Sequence, residues 1–270
     1  MPAAPTGPTP PTARAGTSSW PARPTSGRGK LAGTAMSQLP VWAEPDLTWA
    51  PSVLAIDGRW VLYYTARHAA SNRQCIGRAV SGSPRGPFTD QSSQPLVCQL
   101  DQGGSIDPSP FIGADGQPYL VWKAEGEVVG GVSSIWVQRL DATGLSLVDE
   151  PARIAHADRR WEGGIVEGPS MRFVGGRYHL VYSANSWDTA DYAVGHAACA
   201  GPTGPCRKNP SPVLTTDGAR TGPGGAEFFH AADASLHVAY HAWVGDEIGY
   251  PHRRTLRTRP VRISGPNLSL

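Results

Sequence analysis

Ser105-Ile106-Asp107-Pro108-Ser109-Pro110-Phe111-Ile112-Gly113-Ala114-Asp115-Gly116-Gln117-Pro118-Tyr119-Leu120-Val121-Trp122 reads as two short apolar strands folded back on each other. Asp-Gly at the centre supplies the positive φ that a two-residue hairpin turn demands, and the flanking aromatic and β-branched residues suit a pleated, half-buried surface. The same arrangement recurs about every 60 residues, the period of a repeated supersecondary unit. Trp49-Ala50-Pro51-Ser52-Val53-Leu54 runs through Asp57-Gly58 into Trp60-Val61-Leu62-Tyr63-Tyr64. Glu167-Gly168-Pro169-Ser170-Met171-Arg172-Phe173 runs through Gly175-Gly176 into Tyr178-His179-Leu180-Val181-Tyr182. A looser copy runs from Gly224-Gly225-Ala226-Glu227-Phe228-Phe229 through Asp233 into Leu236-His237-Val238-Ala239-Tyr240-His241.

Further strand candidates follow three of the hairpins, at 74–80, 134–139 and 193–198. Each unit therefore holds three or four antiparallel strands, and the sequence predicts an all-β protein whose sheets are blades around a central channel. A β-sandwich is the structural alternative, although its strands would be shorter and more evenly spaced. Helices are expected to be negligible.

The bulk composition agrees. A chain of 270 residues and 28.6 kDa is ordinary for one large all-β domain. With 32 Gly, 26 Pro and 9 Trp against 17% charged residues, it describes tight turns and aromatic surface rather than a helical bundle. A formal charge of +2 from interleaved basic and acidic residues gives no electrostatic footprint for nucleic acid or an anionic membrane. A neutral partner is expected, and the C–H faces of sugars pack well on indole rings. Residues 1–35 are rich in Pro, Thr, Ala, Gly and Arg, almost without large apolar residues, and are expected to be disordered, leaving one domain over 36–270. Neither an export signal's apolar core nor a membrane-length apolar run is present in this sequence. Cys75 with Cys98 and Cys199 with Cys206 each span a segment rich in Gly, Pro or Ser. That spacing reads as two loop disulfides, hence an oxidising compartment, and not as a paired C-x-x-C zinc site.

The chemistry is expected where the leading strands line the channel. Their opening positions carry Ala50, Asp107 and Glu167, at or next to the proline. Two acids from different blades converging on one funnel can divide the work of glycoside hydrolysis, one protonated to donate to the leaving oxygen, the other ionised. Asp-Pro and Glu-Gly also simply start turns in many proteins.

Trp49-Ala50-Pro51-Ser52-Val53, Ser105-Ile106-Asp107-Pro108-Ser109-Pro110, Val166-Glu167-Gly168-Pro169-Ser170 and Tyr182-Ser183-Ala184-Asn185-Ser186-Trp187 resemble the blade openings of glycoside hydrolase family 43. So do Gly222-Pro223-Gly224-Gly225 and Tyr240-His241-Ala242-Trp243, and the resemblance covers about 39–261. It implies a five-bladed β-propeller glycosidase of the arabinofuranosidase, arabinanase or xylosidase type that inverts the anomeric configuration. By motif position it makes Glu167 the general acid and Asp107 the residue that raises its pKa and orients it. It makes Asn185 and Arg257 sugar contacts, with Arg254 and Arg259 as competitors for the arginine, while Trp49 and Trp122 are candidate sugar platforms or core residues. His241 resembles a channel histidine beside a bound calcium or sodium ion; no cofactor is otherwise required. The implied partner is plant cell-wall oligo- or polysaccharide, acted on by a secreted monomer.

One departure stands out. The resemblance implies a base aspartate in an Asp-Pro opening an earlier blade, and only Glu44 and Asp46 precede Trp49 closely. The first blade is therefore expected to be missing or incomplete and hydrolysis impaired. A non-catalytic carbohydrate-binding propeller is the alternative function. A fructan-cleaving propeller ranks lower, because its Glu is usually followed by Cys, and Gly168 follows Glu167 here.

Overall fold

In the computed structural model of the chain, residues 21–22, 30–31, 33–218 and 220–270 are described. The expectation of disorder over 1–35 falls almost wholly outside them. A two-residue pairing joins β1 (Pro21–Ala22) to β2 (Lys30–Leu31). The first sheet then contains β3 (Ala43–Ile56), β4 (Arg59–His68) and β5 (Arg73–Ser81). The second contains β6 (Ser105–Ile112), β7 (Pro118–Ala124), β8 (Ser134–Leu140) and β9 (Leu147–His156). The third contains β10 (Val166–Val174), β11 (Arg177–Ala184), β12 (Ala193–Cys199) and β13 (Cys206–Lys208). The fourth contains β14 (Arg220–His230), β15 (Leu236–Val244) and β16 (Thr255–Pro260), followed by a hairpin of β17 (Arg262–Ser264) and β18 (Asn267–Ser269). Every pairing is antiparallel and sequential, and the helical content of the described residues is three short 3-10 turns.

The turn chemistry sets this meander. Asp57 and Gly58, at φ 50° and 69°, occupy the left-handed region that a two-residue hairpin of this hand requires. The cores lie between successive sheets. Val61 and Tyr63 of the first pack with Leu120, Trp122 and Leu140 of the second. Phe111 and Val121 of the second pack with Met171, Leu180 and Tyr182 of the third, and Val181 and Val194 of the third with Phe228, Val238 and Tyr240 of the fourth. A middle strand is thus covered on both faces, which is why Pro118–Ala124 is buried throughout and apolar but for Lys123.

The leading strands stand side by side, β3 against β6, β6 against β10, and β10 against β14. No comparable packing joins β14 back to β3 among the described residues. β3 also contains no fully buried residue, in contrast to β6 and β10. Blade-like sheets around an axis are therefore the architecture, with the row of leading strands open beside β3. Glu44 and Asp46 lie inside β3 itself, so neither opens a separate sheet.

The far face of the first sheet is covered by Ala35, Met36, Trp42 and Phe88. Ala35, assigned from the sequence to the disordered segment, is 2% exposed, and its carbonyl accepts the Phe88 N–H at 2.8 Å, so that residue is already part of the packed domain. Cys75–Cys98 and Cys199–Cys206 are bonded as the spacing suggested. No helix among the described residues is long and apolar enough to cross a membrane.

Candidate active site

All four leading strands break register at one place. Pairing with the second strand skips two residues between Trp49 and Ser52, Ile106 and Ser109, Glu167 and Ser170, and Gly224 and Glu227. The first skipped residue always lies in the left-handed region: Ala50 at φ 46°, Asp107 at 55°, Gly168 at 52° and Gly225 at 62°. Such a bulge bends a strand and re-aims its side chains, and an Asp or Gly tolerates that backbone better than most residues. The register corrects one reading of the sequence. Asp107 matches Ala50, Gly168 and Gly225, while Glu167 matches Trp49, Ile106 and Gly224. The acids occupy adjacent positions of the repeat, Glu167 being the last paired residue before its bulge and Asp107 the first residue within its own, which the spacing about the prolines does not distinguish.

This offset brings them together. Asp107 Oδ2 accepts the N–H of Gly168, next to Glu167, at 2.8 Å, and the Asp107 N–H donates to Thr65 Oγ1 at 3.1 Å. Burial, then the Glu167 charge, pushes the Asp107 carboxyl up to about 6, against the pull of Lys123 and the Gly168 N–H. Glu167 Oε2 receives Lys123 Nζ at 3.2 Å and its Oε1 the Tyr192 hydroxyl at 2.7 Å. Lys123 is 3% exposed and also pairs with Glu127 at 2.6 Å. Burial opposes its charge, yet the carboxylates of Glu167 and Glu127 hold it above the ordinary lysine range. Glu125 is pushed up to about 7, first by burial and with Lys123 opposing. One buried ammonium thus serves a cluster of carboxyls, and the two foremost acids cannot both ionise without cost.

Of the other sequence candidates, Trp49 is half-buried at the repeat position that Glu167 holds in the third sheet. Asn185, at φ 74°, ties down a neighbouring turn: its N–H donates to the Glu162 carbonyl at 2.9 Å and its Nδ2 to the Trp161 carbonyl at 3.3 Å. Trp122 requires correction. It is 1% exposed in the core between the first two sheets, its indole N–H held by Gln99 Oε1 at 2.6 Å, so it offers no face to a sugar. Arg257 pairs in the ladder opposite Tyr240, and Arg259 reaches the Leu270 carbonyl. Arg254 is the arginine beside His241, donating to its Nε2 at 3.2 Å with the guanidinium 4.9 Å from the Trp187 ring centre and 5.5 Å from that of Trp243.

The sequence profile described as "Glycosyl hydrolases family 43" matches residues 30–265, and therefore all four leading strands. The chain belongs to glycosyl hydrolase family 43. Within the family it is 26% identical over 229 residues to the β-D-galactofuranosidase xynD of Aspergillus niger, a match covering 79% of this chain and 62% of that protein. It is 24% identical over 227 residues to an extracellular exo-α-(1→5)-L-arabinofuranosidase of Streptomyces avermitilis, covering 77% of this chain and 46% of the relative. The chain thus spans roughly half to three fifths of the length of these curated relatives. A crystal structure of a thermostable family-43 glycoside hydrolase superposes with TM-score 0.79 at 27% identity, over 89% of this chain and 80% of that one.

The family 43 resemblance implied an ion at His241, whose buried Nδ1 has no hydrogen-bond partner among the described residues. The Arg254 guanidinium occupies Nε2, and Arg254 forms no ion pair with a carboxylate among the described residues. Burial, then the Arg254 charge, lowers the His241 pKa to about 3, so the imidazole is neutral. Among the described residues the one cluster with metal-ligand spacing is His68, Cys75 and Cys98, whose cysteines are bonded to each other.

Sequence reasoning missed Lys123, Glu125, Glu127 and Tyr192. Lys123 is the residue after Trp122 on a middle strand, and Tyr192 precedes β12, so neither sits in an opening motif. One signal for Tyr192 was available: a Cβ on Gly224 would run into the Tyr192 ring, and one on Gly225 would meet His241 Nε2 at 2.7 Å. The Gly224-Gly225 pair thus lets Tyr192 reach Glu167 while its ring stacks on His241, 6.1 Å apart.

Proposed function

We propose that this chain hydrolyses O-glycosidic bonds in arabinose- or xylose-containing plant cell-wall polysaccharide with inversion of configuration, acting as an α-L-arabinofuranosidase. The observation that carries this reading is the coupled pair of Asp107 and Glu167 at the bulges of adjacent leading strands, braced by Lys123 and Tyr192. Glu167 donates its proton to the glycosidic oxygen as the bond to the anomeric carbon breaks, and water adds to that carbon from the opposite face. Lys123 and Tyr192 stabilise the carboxylate left on Glu167. Asp107, whose own carboxyl is pushed up to about 6 by burial and then the Glu167 charge, stands beside Glu167 and orients it through the Gly168 N–H. Trp49, Asn185 and Arg254 are the sugar contacts. Relatives named arabino- and galactofuranosidases support a furanoside at the acid pair. An extracellular relative and two disulfides support secretion.

Ala50, at the bulge of β3 that matches Asp107, carries no carboxylate. That favours slow turnover and, as a second reading, a propeller that only binds sugar chains. Hydrolysis of arabino-oligosaccharides by the wild-type chain and Glu167→Gln separates the two. The enzyme reading expects the variant to keep binding and lose turnover by about 10²–10⁴-fold. Binding with no turnover by the wild type selects the second reading.

A further inference from the structure

Beside the acid pair lies an open cleft of about 700 Å³, walled by the turn at Arg160 and Trp161, by Asn185 and Tyr192, and by Pro212 across from them. The walls do not include the carboxylates of Asp107 or Glu167; the cleft meets the site through Tyr192, whose hydroxyl is on Glu167. Its volume lies within the roughly 300–1,000 Å³ of small-molecule sites, room for more than one sugar ring.

The turn is held by an ion pair that has no part in the acid chemistry. Glu162 is fully buried, and its carboxylate receives Lys208 Nζ at 2.7 and 2.8 Å, the Tyr182 hydroxyl at 2.8 Å, and the N–H groups of Asp158 and Arg159 at 2.9 and 2.8 Å. A buried ion pair surrenders its hydration and is weak evidence for stability on its own. What this one accomplishes is placement: the N–H groups of Asp158 and Arg159 tie the chain entering the turn Arg160–Glu162 to the Glu162 carboxylate, and the Glu162 carbonyl fixes Asn185. The Trp161 ring is stacked on Tyr182 at 6.2 Å, and its indole N–H has no acceptor among the described residues. Arg160 is exposed and forms no ion pair among them. The wall is therefore preformed, with an aromatic ring and an exposed guanidinium, and a ligand would find it without ordering a loop.

We propose that this cleft holds the next sugars of the polysaccharide chain whose terminal residue lies at Glu167, with Trp161 as the platform and Arg160 and Asn185 as hydroxyl partners. The assignment rests on the glycosidase reading for the identity of the ligand. It makes the chain a reader of polymer length as well as of the sugar cleaved.

The test compares an aryl pentoside, which reaches only the acid pair, with a linear arabinopentaose, using the wild type, Trp161→Ala and Trp161→Phe. The expected result is that Trp161→Ala raises the KM ratio of pentaose to aryl glycoside about tenfold and Trp161→Phe restores most of it, a tenfold change being the loss of one good aromatic contact. Equal effects on both substrates would overturn the cleft assignment. Calorimetric binding of arabinopentaose to Glu167→Gln with and without Trp161→Ala keeps the test independent of turnover. Tenfold weaker binding supports the cleft even if the wild type hydrolyses nothing, and undiminished binding overturns it even if the wild type is fully active. Thermal melts of Trp161→Phe against Trp161→Ala separate loss of the platform from loss of the fold.

Discussion

Asp107→Asn should stabilise this protein at alkaline pH while removing its activity. The substitution is close to isosteric, Asn tolerates the left-handed backbone at φ 55°, and its amide oxygen can accept the Gly168 N–H that Asp107 Oδ2 now accepts. What changes is charge. Burial, and then Glu167, raises the folded-state pKa from 3.8 to about 6. A carboxyl whose pKa is raised on folding contributes its stability below the unfolded value, near pH 4, and loses it as pH climbs through the folded value, near 6. The shift, from 3.8 to 6, is about 2 units at 1.36 kcal/mol each, roughly 3 kcal/mol. Partial exposure and sharing of the proton with Glu167 reduce the measurable part to about 1–3 kcal/mol. Urea denaturation of wild type and variant at pH 4 and pH 8 reads it directly. The variant should match the wild type at pH 4 and exceed it at pH 8. A variant less stable by the same amount at both pH values would show that Asp107 carries no electrostatic strain, and the coupled-pair account would fall.

Lys123→Met should move the alkaline limb of the kcat/KM profile upward by about one unit, since Lys123 pulls the Asp107 pKa down, and should cost about 3 kcal/mol by stranding the carboxyls it neutralises; an unmoved limb in a folded variant would remove Lys123 from the site. Tyr192→Phe keeps the ring on His241 and deletes the bond to Glu167, worth about 1.5–3 kcal/mol for a charged acceptor, so kcat should fall roughly tenfold or more with little change in KM. Replacing Cys75 and Cys98 by Ser, which opens a loop of sequence separation 23, should lower stability by about 3 kcal/mol in chemical denaturation.

The hairpins were legible because their signals are local. Asp-Gly and Gly-Gly turns between runs of Val, Leu and Tyr set strand pairs without help from the rest of the chain, and the strands anticipated at 74–80, 134–139 and 193–198 appear within a residue or so of those bounds. The outer strand β9 was missed: Leu147-Val148-Asp149-Glu150-Pro151 has the acids and proline of an edge, where strand formers thin out. The bulge was invisible because a register break appears only when two strands are paired, so Asp107 and Glu167 looked like one repeat position. Trp122 and Trp49 are both indoles on strands, and only packing tells that the first is sealed against Gln99 while the second is half-exposed. The partners of Glu167 could not be read either. Lys123 and Tyr192 reach it from a middle strand and a loop, across separations of 44 and 25 residues.

The central claim is that Glu167 delivers the proton to the departing oxygen, and leaving-group dependence tests it most directly. Glu167→Gln should cleave a dinitrophenyl pentoside, whose phenolate departs without protonation, at nearly the wild-type rate. On arabino-oligosaccharides it should lose about 10²–10⁴-fold. An equal loss on both substrates, or no loss on either, would contradict the assignment.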